Sequence, residues 1–216
     1  MTSTVGRDRL TDRAYWHVRN GILSGDLPPG TVLAESELAN TIGGSRTPVR
    51  HALGRLLQEG LTEVGPRRQS IVRGFTPDHR EEMHLLREAL EGVAVRRACE
   101  VMELGAIDRL RLLIIQQRRV AAAGLNDEFL ELDEEFHLTI AEGARLPILH
   151  AFLGQLRGFV RVATLGAIRP PRVLDEVVTE HERIVDAIEA HDPELALRAL
   201  VDHLARSDYT PSEVSP

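Results

Sequence analysis

The chain has 216 residues, a net charge of −7, and 43% hydrophobic with 27% charged residues, a composition of folded globular protein that excludes wholesale disorder. Its single cysteine, Cys99, excludes an internal disulfide framework and suits a reducing compartment. The sequence reads without a charged-then-apolar leader and without an apolar run near the ~18 residues of a membrane span, so a soluble cytoplasmic protein is expected.

Residues 1–10 are polar and are expected to fray. Thr11 offers an N-cap for a helix to about Leu23, with Ala14, Val18 and Ile22 spaced by four on one face. Turn chemistry ends it at Gly25-Asp26-Leu27-Pro28-Pro29-Gly30. A short helix is predicted over about 35–42, then a Gly43-Gly44 turn, then a helix from Arg46 to about Glu59 with Ser45 as N-cap and Gly60 as its stop. Pro48 is compatible with that first turn, whose N–H groups have no intrahelical acceptor. Val49, Leu53, Leu56 and Leu57 are its expected buried stripe. Two short strands, 61–64 and 70–73, flank a turn at 65–69 and complete a first domain over residues 1–74. From about Asp78 the chain reads as six helices, with breaks near 104–105, 124–125, 143–146, 169–171 and 191–193. Strand signals are lacking there, so residues 75–216 are expected to form an all-α antiparallel bundle. Leu85, Leu86, Leu90 and Val93 form one apolar stripe of it; Ile184, Val185 and Ile188 belong to another.

Charge divides the same way. Residues 1–74 hold 10 Arg against 7 acids (+3), and residues 75–216 hold 16 Arg against 26 (−10). That asymmetry fits an arm that meets phosphates and a body that does not, although charge alone does not settle it. In the third helix Arg46 and Arg50 lie one turn apart on a solvent-facing side near the N-terminus. Unpaired N–H groups and partial positive charge at that end favour phosphate contact. Arginine also reaches a guanine edge with two hydrogen bonds, worth ~1–3 kcal/mol of discrimination. Docking by the N-terminal end of a second helix is the usual helix-turn-helix geometry. Arg67 and Arg68 at the hairpin tip are placed to meet backbone or minor groove as a wing.

The ordered run Ile22-Leu23-Ser24-Gly25, Leu27-Pro28-Pro29-Gly30, Leu33, Glu35, Glu37-Leu38-Ala39, Ser45-Arg46-Thr47-Pro48-Val49-Arg50, Ala52-Leu53 and Glu59-Gly60-Leu61 closely resembles the N-terminal domain of the GntR family. The resemblance covers about residues 10–75 and implies a winged helix-turn-helix that binds double-stranded DNA through Ser45, Arg46, Thr47 and Arg50. Ser36, His51 and Gln69 depart from the family pattern, so the resemblance speaks for the contacts of the core helix more directly than for those at Ser36 and at the wing.

In the body, Asp133 and His137 are four apart and share a helix face, beside an apolar strip holding Leu132 and Phe136. His181 and His203 lie on the last two predicted helices, whose inward faces carry Ile184, Ile188, Leu200 and Leu204. Three imidazoles and a carboxylate converging inside a bundle suit zinc, nickel or a similar divalent ion. Spacing alone leaves the other reading open, that these are hydrogen-bonded core histidines.

Arg87-Glu88-Ala89-Leu90-Glu91, Asp133-x-x-Phe136-His137, Glu180-His181, Asp186-Ala187-Ile188 and His203-Leu204 resemble the FCD effector domain of FadR-like GntR regulators, over about residues 79–208. Six helices favour the smaller, VanR-like form. The resemblance implies a divalent metal held by Asp133, His137, His181 and His203, a small organic-acid effector at or beside it, and Arg87 as a carboxylate-recognising residue. Arg145 stands where relatives carry asparagine; facing a pocket it would favour an anionic effector, facing solvent it would do nothing. The whole then reads as a ligand-responsive repressor, a homodimer whose two-fold symmetry matches a palindromic operator. The alternatives are a regulator for which the ion itself is the signal, and a metal-dependent hydrolase with a DNA-binding head. Helical spacing argues against the hydrolase, because it turns Glu134 and Glu135, candidates for the general base, away from the metal face.

Overall fold

A computed structural model of the chain describes residues 3–163 and 171–207. Their contacts divide into two compact units, one of residues 3–77 with 158–163, the other of residues 78–157 with 171–207. The expected break at 169–171 falls mostly outside the described residues.

The first unit is built from α1 (Ser3–Ser24), β1 (Val32–Leu33), α2 (Glu35–Thr41), α3 (Arg46–Gln58), β2 (Thr62–Val64) and β3 (Ser70–Val72). Helix α1 begins at Ser3, so Thr11 is internal and not a cap. Nothing in residues 3–10 forbids this, since Gly6 costs only about 1 kcal/mol and proline is lacking. Ala14, Val18 and Ile22 are buried as their spacing requires, and pack with Leu38, Ile42, Val49, Leu53 and Leu56 in one apolar cluster. Leu57 departs from expectation and is 42% exposed, because it lies about 100° round the helix from Leu56. The α2–α3 turn closes through Gly44 N donating to Ala39 O at 2.9 Å, with Gly43 in the left-handed region at φ +60°.

The sheet order is β1-β3-β2, antiparallel throughout, with Thr62 opposite Val72 and Val32 opposite Ile71. Strand β1 was not expected, since two residues carry no readable alternation. The hairpin turn is held by Gly65 N to Gln69 O at 2.8 Å, with Arg68 left-handed at φ +58°.

The second unit contains α4 (Pro77–Val101), α5 (Leu104–Ala123), α6 (Asn126–Gly143), most of α7 (Pro147–Ala163), α8 (Pro171–Glu189) and α9 (Pro193–Ser207). Helix α5 packs against α6 and α8, and α8 against α9. Gly124, at φ +69°, ends α5 in a left-handed cap. The core holds Leu110, Ile114, Phe129, Phe136, Ile140, Leu153, Ile184, Ile188, Leu200 and Leu204. The stripe expected on α4 is inverted. Leu85, Leu86 and Val93 are 60%, 45% and 47% exposed, whereas Met83, Arg87, Glu91, Ala94, Val95 and Ala98 face inward. Periodicity identified an amphipathic helix, but the inward face carries an ion pair.

Candidate DNA-reading helix and metal centre

Helix α3 presents its start to solvent. Ser45 sits at the N-cap with extended backbone (φ −102°, ψ 169°) and makes no capping hydrogen bond through its side chain. Ser45, Arg46, Thr47 and Arg50 are all exposed, while Val49, Ala52, Leu53 and Leu56 are buried, so the expected division of faces is present. Arg50 is held against α2 by a fork onto Glu35, Nε to Oε1 at 2.9 Å and Nη2 to Oε2 at 2.8 Å. That pair lowers the Glu35 carboxyl below its ordinary range and ties the exposed start of α3 to α2. Arg67 and Arg68 are exposed at the hairpin tip.

In the second unit Asp133 and His137 from α6, His181 from α8 and His203 from α9 converge, one ligand atom of each lying within 4.8 Å of the others. All three histidines are fully buried. Each has an outer partner on its Nδ1 side: Gln117 Oε1 of α5 at 2.8 Å from His181, Glu180 Oε2 of α8 at 3.0 Å from His203, and Glu91 Oε2 of α4 at 2.6 Å from His137, the last off the line of a good hydrogen bond. Gln117 is fixed the right way round because its Nε2 donates to Leu132 O at 3.0 Å, leaving Oε1 as acceptor for His181. Asp133 has a partner too, Arg157 of α7, whose Nη2 donates to Oδ2. The other oxygen, Oδ1, lies 3.5 Å from His181 Nε2 and 3.9 Å from His137 Nε2. Phe136 stacks on His181 with centroids 4.1 Å apart and holds its ring plane.

The electrostatics follow from burial. Burial pushes His137 down to about 4, against the pull of Glu91, and drives His181 well below its ordinary value with His203 adding to it. Both are therefore neutral imidazoles near neutral pH. Burial would raise Asp133, but the Arg157 guanidinium holds the carboxyl well below its ordinary range. Glu91 is likewise held well below its usual range, burial being overcome by His137, Arg87 and Arg157.

The donor chemistry fits a divalent ion. Nε2 of His137, His181 and His203 are buried and have no hydrogen-bond partner among the described residues. Buried polar atoms are rarely left so. With Nδ1 turned to outer acceptors, the free lone pairs are on Nε2, the tautomer that metal-ligating histidines adopt.

Of the remaining expected residues, Arg87 is buried with Nε on Glu91 Oε1 at 2.9 Å and so belongs to the outer layer of this cluster. Arg145 does not join it. It is exposed, left-handed at φ +58°, ion-paired with Glu103, and lines a surface pocket of about 320 Å³ with Arg109, Thr139 and Glu142. Sequence reading missed Gln117 and Arg157 altogether. Their signal was a polar residue inside an apolar stripe, Gln117 among Leu110, Leu113, Ile114 and Ala121, and Arg157 four after Leu153.

A winged helix-turn-helix with an exposed recognition-helix start, beside an all-helical unit, defines a DNA-binding transcription regulator. Residues 10–72 match the family described as "Bacterial regulatory proteins, gntR family" and residues 82–206 match the FCD domain. The chain belongs to the GntR family of bacterial regulators and carries an FCD domain. It is 32% identical over 209 residues to an uncharacterized HTH-type transcriptional regulator of Streptomyces ambofaciens, covering 94% of this chain and 85% of the relative. It is 35% identical over 188 residues to the probable D-xylose utilization operon transcriptional repressor of Paenarthrobacter nicotinovorans, covering 85% and 80%. Against the structure of McbR/YncC of Escherichia coli the TM-score is 0.81 at 25% identity, covering 92% and 94%. Among the described residues no helix is long and apolar enough to cross a membrane.

Proposed function

We propose that the chain is a homodimeric, cytoplasmic repressor whose grip on a palindromic operator is set by a small organic acid bound beside a divalent metal, zinc or nickel, in the second unit. Residues 1–74 read DNA, with Ser45, Arg46, Thr47 and Arg50 in the major groove and Arg67 and Arg68 at the backbone or minor groove. Residues 75–216 bind the effector and pair the chains. The exposed apolar residues of α4 (Leu85, Leu86, Val93) and of α7 (Ile148, Phe152) supply faces for a second copy to cover. Repression, not activation, is the sign in the name of the Paenarthrobacter nicotinovorans relative.

The observation that carries the reading is the trio of buried, unpartnered Nε2 atoms around Asp133. Asp133 and the three histidines would hold a divalent ion there, oriented by Arg157, Glu91, Gln117 and Glu180, and the ion would supply Lewis acidity toward an oxyanion. Effector binding then has a differential free energy between bundle arrangements, which is what shifts DNA affinity.

Fluorescence anisotropy with DNA from upstream of the protein's own gene tests this, using protein stripped with EDTA, reloaded with Zn²⁺ or Ni²⁺, and mixed with a series of organic acids. Operator affinity should change with acid only in the loaded protein. Absence of any sequence preference in DNA binding would sink the reading. A change of operator affinity with metal alone would favour instead the ion as the signal.

A further inference from the structure

Arg157 is a buried charge that the described residues leave largely unmet. It is 4% exposed on α7, and Asp133 engages only its Nη2. Nη1 lies 3.9 Å from Glu91 Oε1, beyond hydrogen-bond reach, and neither Nη1 nor Nε has a partner among the described residues. A guanidinium carries five N–H donors, and leaving them unmet out of water is costly. The two other arginines considered for ligand recognition differ. Arg87 spends its Nε on Glu91, and Arg145 is a surface residue paired with Glu103. Of these three arginines, Arg157 alone bonds directly to one of the four candidate metal ligands.

Local charge points the same way. The nearby carboxylates are the buried Glu91 and Glu180, the partly buried Asp133, and Glu134, whose charge also acts on Arg157; they face the buried guanidiniums of Arg87 and Arg157 and, at the rim, the exposed Arg206 on Glu180. A divalent ion in the cluster would add two positive charges to this set, and an anionic ligand would offset part of that charge in a place with little water to screen it.

We propose that Arg157 is the anion-anchoring residue of the effector site. The carboxylate of a small organic acid accepts from its unpaired Nη1, while Asp133 keeps Nη2 and so fixes the guanidinium in place. This rests on the metal-and-acid reading above and names the residue that selects the ligand class. A 2-hydroxy acid or a short dicarboxylate has a second oxygen beside its carboxylate, so it could meet Nη1 and a held ion together, where a simple monocarboxylate must share one group between them.

The test uses the full chain loaded with Ni²⁺ and titrated calorimetrically with acetate, glycolate and malonate. Nickel content is measured alongside, and Arg157→Gln, Arg157→Lys and Arg145→Ala are compared with the parent. The parent should take up glycolate or malonate more tightly than acetate. Arg157→Gln should weaken that uptake at least tenfold with nickel retained, Arg157→Lys should recover part of it, and Arg145→Ala should match the parent. Undiminished uptake by Arg157→Gln overturns the assignment of the arginine while leaving the acid-responsive reading in place. If both Arg157 variants lose nickel in step with the acid, Arg157 merely supports Asp133 and the proposal falls. Failure of the parent to bind any of the three anions overturns both readings together.

Discussion

Replacing Gln117 by Met removes one amide and nearly nothing else. The side chain is wholly buried on α5, accepting from His181 Nδ1 at 2.8 Å and donating to Leu132 O at 3.0 Å. Methionine fills similar volume, so the cavity contribution is small. The His181 Nδ1–H is left unmet, at about 1–3 kcal/mol, and the Leu132 carbonyl loses one of its partners, for a total of about 2–3 kcal/mol. At about 2–4 °C per kcal/mol for a chain of this size, the melting temperature of the EDTA-treated protein should fall by about 4–12 °C. The tautomer lock goes with it. His181 is then free to place its proton on Nε2, and affinity for Ni²⁺ should fall about tenfold to hundredfold, the range for loss of an outer partner. Thermal melts followed by circular dichroism and calorimetric nickel titration measure the two effects separately. Lowered stability with unchanged nickel affinity would refute the argument, since it would mean that His181 is a core histidine and not a ligand.

Arg46→Ala and Arg50→Ala should each weaken specific operator binding about tenfold or more without changing the melting temperature, as expected for a lost base or phosphate contact; equal affinity by anisotropy would remove them from the interface. Arg145→Ala should leave both operator affinity and the acid response as they are, because its guanidinium is spent on Glu103 at the surface; a lost acid response would refute that. Burial pushes the Cys99 thiol up to about 11, so at pH 8 about one thiol in a thousand is ionised and iodoacetamide should label it only after urea unfolding. The sign for stability follows: the unfolded chain releases this proton near 9, so the contribution is present below 9 and is lost as pH rises towards 11. Rapid native labelling would show that the site opens. Leu86→Glu with Phe152→Glu should yield monomers in sedimentation velocity; an unchanged dimer would place the interface elsewhere.

How much of this was legible beforehand depended on whether a residue's role is local. Helix α3 announced itself through Ser45, Pro48 and Gly60, residues whose caps and turns are decided within a few positions. The four candidate ligands were also named from sequence, because Asp133 and His137 share a face and the others sit on inward stripes. What sat around them was not. Glu91 and Glu180 lie within the quoted motifs but say nothing by spacing of which histidine they will meet. Gln117 and Arg157 interrupt apolar stripes, and only the packed bundle shows what each interruption is for. The α4 stripe misled for a related reason. Leu85, Leu86 and Val93 are apolar at helical spacing, but the space inside was already claimed by Arg87 and Glu91. Strand β1 is too short to leave a pattern.

Every helix of the second unit sends a side chain to the same polar centre: Glu91 from α4, Gln117 from α5, Asp133 and His137 from α6, Arg157 from α7, His181 from α8 and His203 from α9. Such a junction has no private neighbour. A small slide of any one helix changes the field, or the donor angles, at a point the other five share. With Co²⁺ in the proposed site, the visible spectrum would therefore gauge the packing of the entire bundle, not the state of one side chain. Substitutions far out on any of the six helices should register there before they register in the melting curve.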